Sequence, residues 1–303
     1  MDTRISTLSL HQNSVRDMSS VMADLARTQR QISSGKMAET FAELNSNGKV
    51  ERILNLEERL QRIDDYVISN HLISNRIKAT DLAVERILEA SSQLRDNITL
   101  KRSGAITALP LTQISQTGLT TVMDNLNMRF EGRYIFAGSQ TDNIPVSDII
   151  YTSNIVNTEP TANYYQGDNV TLTSRASENL EIPYGVRANE EAFQKLIAAY
   201  HIAIQADKTN DDEKLTEALD LTTTALNDLI QLRSKINNNM AAIDEANESH
   251  ETLKIYLNEV ISNETATNIP EATIKISTNQ LTLQAIYQTL ARINKLTLSD
   301  YLR

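Results

Sequence analysis

Residues 8 to 36 read LSLHQNSVRDMSSVMADLARTQRQISSGK and carry an apolar repeat of seven residues. One set of positions holds Leu8, Val15, Met22 and Gln29, and the set three residues further on holds His11, Met18, Leu25 and Ile32. This spacing makes a narrow seam, which is typical of a coiled coil rather than of a broad globular face. The serines and the glycine at 33–36 end the predicted helix.

Seams of the same kind fill most of the chain. A second one runs from residue 50 to about residue 100, and a shorter helical pattern covers 111–130. Another seam runs over 215–243 and, after a slip near Ala246, resumes over 250–260. The positions of the two long seams include Asn70, Ile77, Val84, Leu226, Arg233, Ile236 and Ile243. Asn210 and Glu213 have capping-box spacing, so we predict that the helix containing the seam at 215–260 starts at Asn210. Pro270 interrupts the pattern. The last seam contains five apolar residues: Ile276, Leu283, Ile286, Leu290 and Ile293.

The middle of the chain has a different composition. Residues 131–187 hold four of the eight Gly, three of the five Pro and five of the ten Tyr. Extended stretches at 164–174 and 179–186, separated by turn residues, predict a small β insert. At its entrance, residues 131–146 read EGRYIFAGSQTDNIPV. There we expect a structural elbow, in which two glycines bracket a short strand and turn the backbone out of the helices: Gly132, Tyr134, Ile135, Phe136 and Gly138. Because a turn signal follows Gly138 directly, we predict a positive φ for this glycine.

These patterns predict a mainly α fold, with long coiled-coil helices from both termini, an α-helical bundle and a small central β insert. We expect three domains. A terminal coiled-coil domain combines 1–44 with 262–303, a bundle domain combines 45–130 with 188–261, and the insert covers 131–187.

Composition argues against several classes of function. The 303 residues carry a formal net charge of -10, which disfavours nucleic acid as a partner, and the absence of Cys leaves no thiol chemistry. The four His are scattered without metal-ligand spacing, and no glycine-rich phosphate loop occurs. We therefore expect no enzymatic activity, no metal and no cofactor. Neither a signal peptide nor a membrane span is predicted.

Both ends of the chain are nearly neutral. Residues 1–40 carry five basic and four acidic side chains, and residues 263–303 carry four and three, so the excess negative charge lies between them. Uncharged polar side chains dominate the last helix, where neighbouring copies could hydrogen-bond sideways without losing hydrated charge. This favours assembly, although a solvated helix of unusual composition has the same pattern.

Three stretches resemble one family. GRYIFAGSQTDNIPV at 132–146, following a long helix, is similar to the signature of the flagellin-like hook-associated protein of the hook–filament junction, the third hook-associated protein. ISSGK at 32–36 is similar to the same element of flagellins, and LTLQAIYQTLARINKLTLSDYLR at 281–303 resembles the terminal helix of that family. Residues 37–50 depart from the Asp-rich loop of flagellin relatives, so the contacts of that loop are not carried over.

The resemblance implies a structural adaptor that joins hook to filament by self-assembly into a ring through its terminal helices, with the β insert facing outward. It implies copies of the same chain, a neighbouring hook-junction protein and filament flagellin as partners. It also implies type III export to the extracellular flagellum without a cleaved signal, aided by a chaperone that binds the C-terminal part. A coiled-coil interaction protein of a type III secretion system, or filament flagellin itself, stays open as an alternative.

Overall fold

The computed structural model describes residues 2–38, 50–104, 109–147 and 160–301. This part of the chain contains six helices: α1 (Asp2–Ser34), α2 (Val50–Arg102), α3 (Leu111–Leu126), α4 (Glu191–Thr209), α5 (Asp212–Thr265) and α6 (Ile269–Tyr301). Its strands pair as two antiparallel hairpins, which are β1 (Arg129–Phe130) with β2 (Arg133–Tyr134), and β3 (Thr173–Ser177) with β4 (Leu180–Pro183). The predicted mainly α class with a small β part is confirmed.

The chain divides into two compact units. Unit 1 combines residues 1–61 with 253–303, and unit 2 is residues 62–252. Helices α2 and α5 contribute to both units. The division into three domains stays a prediction.

In unit 1, α1 and α6 form an antiparallel pair, called the terminal pair below. Gly35 ends α1 with a φ of 71°, and its carbonyl accepts a hydrogen bond from the Thr267 amide at 2.9 Å. The two helices pack along each other from this joined end, so they run in opposite directions. Asn268 caps α6: its Oδ1 atom accepts from the Glu271 amide at 3.4 Å, and its Nδ2 atom donates to the Glu271 carboxylate at 3.3 Å. Pro270 is tolerated there because first-turn amides have no intrahelical partner.

Unit 2 is built around α4. Its side chains are buried on several faces, including Phe193, Leu196 and Tyr200. The seams predicted for α2 and α5 lie in this core. Buried seam positions include Asn70, Ile77, Val84, Leu226, Ile236 and Ile243.

One seam position of α5 is charged and is paired. Arg233 donates to both carboxylate oxygens of Asp81 on α2, at 2.8 and 3.1 Å, and lies 3.0 Å from Glu85. These hydrogen bonds raise the pKa of Arg233 despite partial burial. The ion pairs therefore determine the position of α5 along α2.

The β3–β4 hairpin is attached to the same two helices. A β-bulge lies between Arg175 and Ser177, and the carbonyl of Ala176 accepts hydrogen bonds from Asn70 on α2 and from the His250 ring on α5, at 3.0 and 2.8 Å. All these groups are buried. The bulge turns one backbone carbonyl out of the hairpin ladder and toward the helices.

Three predicted boundaries are wrong. Asn210 has a φ of 49° and ends α4, while Asp211 caps α5 by accepting hydrogen bonds from the amides of Glu213 and Lys214. Helix α3 ends at Leu126, because Arg129 and Phe130 pair with β2. Residues 164–172 form no strand with the described part of the chain: Tyr165 makes one isolated bridge to Val146, and the Leu172 carbonyl accepts from the Tyr184 and Gly185 amides at 2.9 and 3.1 Å. The second predicted stretch, 179–186, does contain β4.

Candidate assembly surfaces and the insert elbow

Seven of the nine predicted seam residues with described side chains are buried or partly buried in unit 1. On α1, Met18, Leu25 and Ile32 are partly buried. On α6, Leu283 is buried, and Ile276, Ile286 and Leu290 are partly buried. The side chains of Leu8 and Ile293 lie outside the described part of the structure. The assembly role of all these residues stays a prediction.

Two apolar residues of the predicted α1 seam are exposed. Val15 and Met22, called the apolar flank, are 38% and 43% exposed. The positions that pack with Met18 and Leu25 in the terminal pair are one residue earlier, at Ser14, Val21 and Thr28. Both choices alternate spacings of three and four, so the repeat by itself fits either side. The chain covers the more polar side and leaves the apolar flank in contact with water.

The outer side of α6 is also apolar. Ile274 and Leu281, seven residues apart, are 68% and 66% exposed. Four threonine hydroxyls of this helix each donate to the backbone carbonyl four residues earlier: those of Thr273, Thr278, Thr282 and Thr289. A surface whose donors are already used loses less hydration when another surface covers it.

The elbow, residues 131–139, begins with a tight turn. Glu131 and Gly132 both have positive φ, at 52° and 79°, and join β1 to β2 by a two-residue connection of the type I′ kind. Arg129 donates to the Tyr134 hydroxyl at 2.8 Å, and its guanidinium carbon lies 4.2 Å from the centre of that ring. Cation–π contact and hydrogen bond together close the hairpin.

The predicted strand Tyr134, Ile135 and Phe136 is wrong beyond its first residue. The strand ends at Tyr134, and Ile135 and Phe136 are buried in a bend. The Phe136 ring meets Phe193 of α4 edge to face, with centroids 6.0 Å apart, and its carbonyl accepts from the Ala188 amide at 2.9 Å. The elbow therefore anchors the chain to the core. Burial of the large Phe136 ring stabilises the fold more than extension of the β1–β2 hydrogen-bond ladder would.

Gly138 closes the elbow. Its φ is 68°, and a Cβ built there would lie 2.2 Å from the Oδ1 atom of Asp168 and 2.7 Å from the Asp168 carbonyl oxygen. The Asp168 carboxylate accepts hydrogen bonds from the Ser139 hydroxyl, from the Ser139 amide at 2.9 Å and from the Val170 amide at 3.2 Å. These bonds, the hydroxyl first, lower the pKa of Asp168. The predicted left-handed glycine is confirmed.

Sequence reasoning missed a groove of about 500 Å³ between α2 and α3 in unit 2. Ala90, Leu94, Ile114 and Tyr200 give it apolar parts, and Gly118 lets α3 approach the Tyr200 ring, where a Cβ would lie at 2.7 Å. No residue pattern in the sequence marks it, because its walls come from helices that are distant in the chain. None of the described helices is long and apolar enough to cross a membrane.

Comparison with known proteins adds the family context. Residues 5–141, from α1 through the elbow, match the family model of the bacterial flagellin N-terminal helical region. The fold is similar to that of a protein from Vibrio parahaemolyticus assigned as a flagellar hook-associated protein, with a TM-score of 0.58 and 12% identity over 71% of this chain and 96% of that one.

The fold is also similar to that of FlgL from Bacillus cereus, with a TM-score of 0.55 and 14% identity over 70% of this chain and 99% of that one. No curated protein sequence matches the chain. The N-terminal part is thus similar to flagellin, and the structural likenesses show a shared fold.

Proposed function

We propose that the chain is a non-enzymatic structural adaptor of the bacterial flagellum, which joins hook to filament by self-assembly through its terminal helices. The flagellin-type match of residues 5–141 and the fold shared with a flagellar hook-associated protein and with FlgL support a flagellar structural role. The GRYIFAGSQTDNIPV stretch at 132–146 and the last 23 residues resemble the junction protein, which favours the junction over the filament.

The observation that carries this proposal is the exposed apolar surface of the terminal pair. The flank of Val15 and Met22, and Ile274 with Leu281 on α6, recur at the seven-residue spacing of a coiled-coil seam. Covering such side chains is favourable by about 1 kcal/mol or more each. Ordering long terminal helices costs conformational entropy. A second copy packed on this surface therefore supplies stabilisation that one chain alone does not have.

The same surface suggests the partners. In the assembled ring, neighbouring copies cover each other, and the ring meets a hook-junction protein on one side and filament flagellin on the other. Before assembly, exposed apolar residues on α6 are a natural target for a chaperone that binds the C-terminal part during type III export. The protein then acts outside the cell, in the flagellum.

Deletion of the gene tests this proposal. We expect intact hooks without filaments, with filament subunits shed into the medium, because an adaptor is needed where two different lattices meet. Electron microscopy and detection of flagellin in the culture fluid measure both. Normal filaments in the deletion strain would refute the adaptor role. Loss of hooks as well would assign an earlier role, and bare hooks without shed flagellin would indicate filament flagellin itself.

Complementation then tests the surface. We expect that the double variant Met22→Gln and Leu281→Gln is exported and folded but does not restore filaments. The matched control is Met22→Leu with Leu281→Met, which keeps the surface apolar and should restore motility. Equal rescue by both variants would exclude this surface from assembly.

A further inference from the structure

Two short segments close one end of the terminal pair and are called the clamp below: 35–37, which follows α1, and 265–267, where α5 passes into α6. Two backbone hydrogen bonds hold them together, from amide to carbonyl: Met37 to Thr265 at 2.7 Å and Thr267 to Gly35 at 2.9 Å. The middle residues of the two segments form an isolated antiparallel bridge. The clamp is therefore a short piece of β ladder, and the ISSGK element at 32–36 supplies part of it.

The side chain of Gln31 supports the clamp from the last turn of α1. It is partly buried, and its Nε2 atom donates to the Met37 carbonyl at 2.5 Å. The positive φ of Gly35, 71°, turns the chain at the end of the helix, so that residue 37 lies within reach of residue 31. Met37 is thus held on both sides, because its amide bonds in the ladder and its carbonyl bonds to Gln31.

The seven-residue repeat by itself does not fix the position of α1 along α6. A slip of seven residues brings apolar positions opposite apolar positions again, over the remaining length, and moves α1 by about 10 Å. The polar seam residues Ser14 and Thr28 do not oppose such a slip with these hydroxyls, because each donates to a carbonyl of its own helix, at 2.9 and 2.8 Å. Another feature of the fold must therefore select one alignment.

The connections of the two helices differ in length. Three residues, 266–268, separate α5 from α6, so the position of α6 follows that of α5. Twelve residues, 38–49, separate Met37 from α2. An extended chain spans about 3.3 Å per residue, so about three of these twelve are long enough to accommodate a slip of one repeat. The position of α1 along α6 therefore depends on the clamp.

Resting on the proposed assembly function, we propose that the clamp selects the register of α1 against α6 and that Gln31 is the positioning residue that keeps the clamp closed. Register matters because both helices carry exposed apolar residues. Met22 comes 13 residues before Gly35, and Leu281 comes 14 residues after Thr267, so both lie about 20 Å from the clamp. A slip of one repeat separates their levels by about 10 Å. Copies in different registers would then not present the same surface to each other.

Three variants of the full-length chain test the role of Gln31. Gln31→Met removes the donor at similar size, Gln31→Lys keeps an N–H donor near the helix C-terminus, where a cation is favourable, and Gln29→Met is the matched control on the exposed side of α1. Hydrogen exchange, measured by NMR at the amides of Met37 and Thr267, reports opening of the clamp. For Gln31→Met we expect these two amides to exchange about five to ten times faster. The other two variants should exchange as the unchanged protein does.

Spin labels measure the register itself. The chain has no Cys, so cysteines introduced at the exposed positions Asn13 and Ser277 are the sole labelling sites. Pulsed electron resonance should give one distance between the labels in the unchanged protein. Gln31→Met should add a population displaced by up to about 10 Å, and Gly35→Ala, which is strained at a φ of 71°, should enlarge that population in the double variant. A role of Gln31 in stability alone would not produce a second defined distance.

Addition of unlabelled protein to hooks of the deletion strain connects register to assembly. We expect Gln31→Met to be incorporated about five to ten times less than the unchanged protein, and Gln31→Lys and Gln29→Met to be incorporated normally. Unchanged exchange in Gln31→Met would overturn the role of Gln31, and a single unchanged label distance in the double variant would overturn the role of the clamp. Normal incorporation of a variant with two label distances would exclude register from assembly. If the unchanged protein did not join hooks, the proposed function would fail, whereas exchange and label distances would still decide the role of the clamp, because neither measurement needs hooks.

Discussion

Replacement of Gly138 by valine should destabilise unit 2 through two separate effects. The first is the backbone, since a non-glycine residue at a φ of 68° is strained. The second is contact, because the new Cβ would lie 2.7 Å from the Asp168 backbone oxygen, which a side-chain rotation does not move away. Together we expect a loss of about 1 to 3 kcal/mol in the free energy of unfolding.

Gly132 separates the two effects. Its φ is 79°, but a Cβ there meets nothing within 4 Å, so Gly132→Ala has the backbone cost alone. That cost is about 1 to 2 kcal/mol. Gly138→Ala should therefore lower stability more than Gly132→Ala, and Gly138→Val at least as much as Gly138→Ala. The difference between the two alanine variants measures the contact with Asp168.

Thermal and urea denaturation followed by circular dichroism provide the assay. A loss of 1 to 3 kcal/mol corresponds to a fall in Tm of roughly 2 to 12 °C for a domain of this size. An unchanged Tm for Gly138→Val would show that the elbow relaxes freely and would refute the reasoning. Equal losses for the two alanine variants would refute the contact with Asp168 but leave the backbone argument intact.

Three further predictions concern the core, acid stability and the ends. Asn70→Ala should lower the stability of unit 2 by about 1 to 3 kcal/mol in urea denaturation, since it removes a buried donor from the Ala176 carbonyl; an unchanged midpoint would show that His250 alone suffices. Burial opposes the charge of Asp207, but hydrogen bonds from Lys101 and Thr112 outweigh it and lower its pKa, so its stabilising effect is present above about pH 4 and is lost as the pH falls further. Urea midpoints at pH 7 and pH 3 should therefore differ less in Asp207→Asn than in the unchanged protein, and an equal difference would contradict this. A chain without residues 1–40 and 263–303 should keep a cooperative melt in circular dichroism but not join hooks, whereas loss of folding would place the ends in the core.

The long helices were predictable because their sequences repeat. Asn70, Ile77 and Val84 of α2, with Leu226, Ile236 and Ile243 of α5, are buried as the spacing predicts. Such helices bury one narrow stripe, so burial and sequence share a period. Helix α4 was missed for the opposite reason. Its residues are buried on several faces, and uniform burial leaves no polar side to mark the period.

Turns and helix caps could be predicted from the sequence only in part. The left-handed glycine at 138 was predicted, because a turn signal follows it directly. The cap of α5 was placed one residue early, since Asn210 and Asp211 both suit a cap, and only the end of α4 at Asn210 decides between them. The bend at Ile135 and Phe136 depends on Phe193, which is 57 residues further along the chain.

The sequence by itself determined the mainly α class, the seven-residue repeats at both ends and the neutral termini, because these depend on spacing and composition within one segment. Only the tertiary structure decided which side of the α1 repeat is covered. Ser14 and Thr28 lie in the terminal pair, while Val15 and Met22 stay exposed. Both sides satisfy the same repeat, and the choice depends on where α6 lies after a connection of more than two hundred residues. Local spacing contains no information on that position.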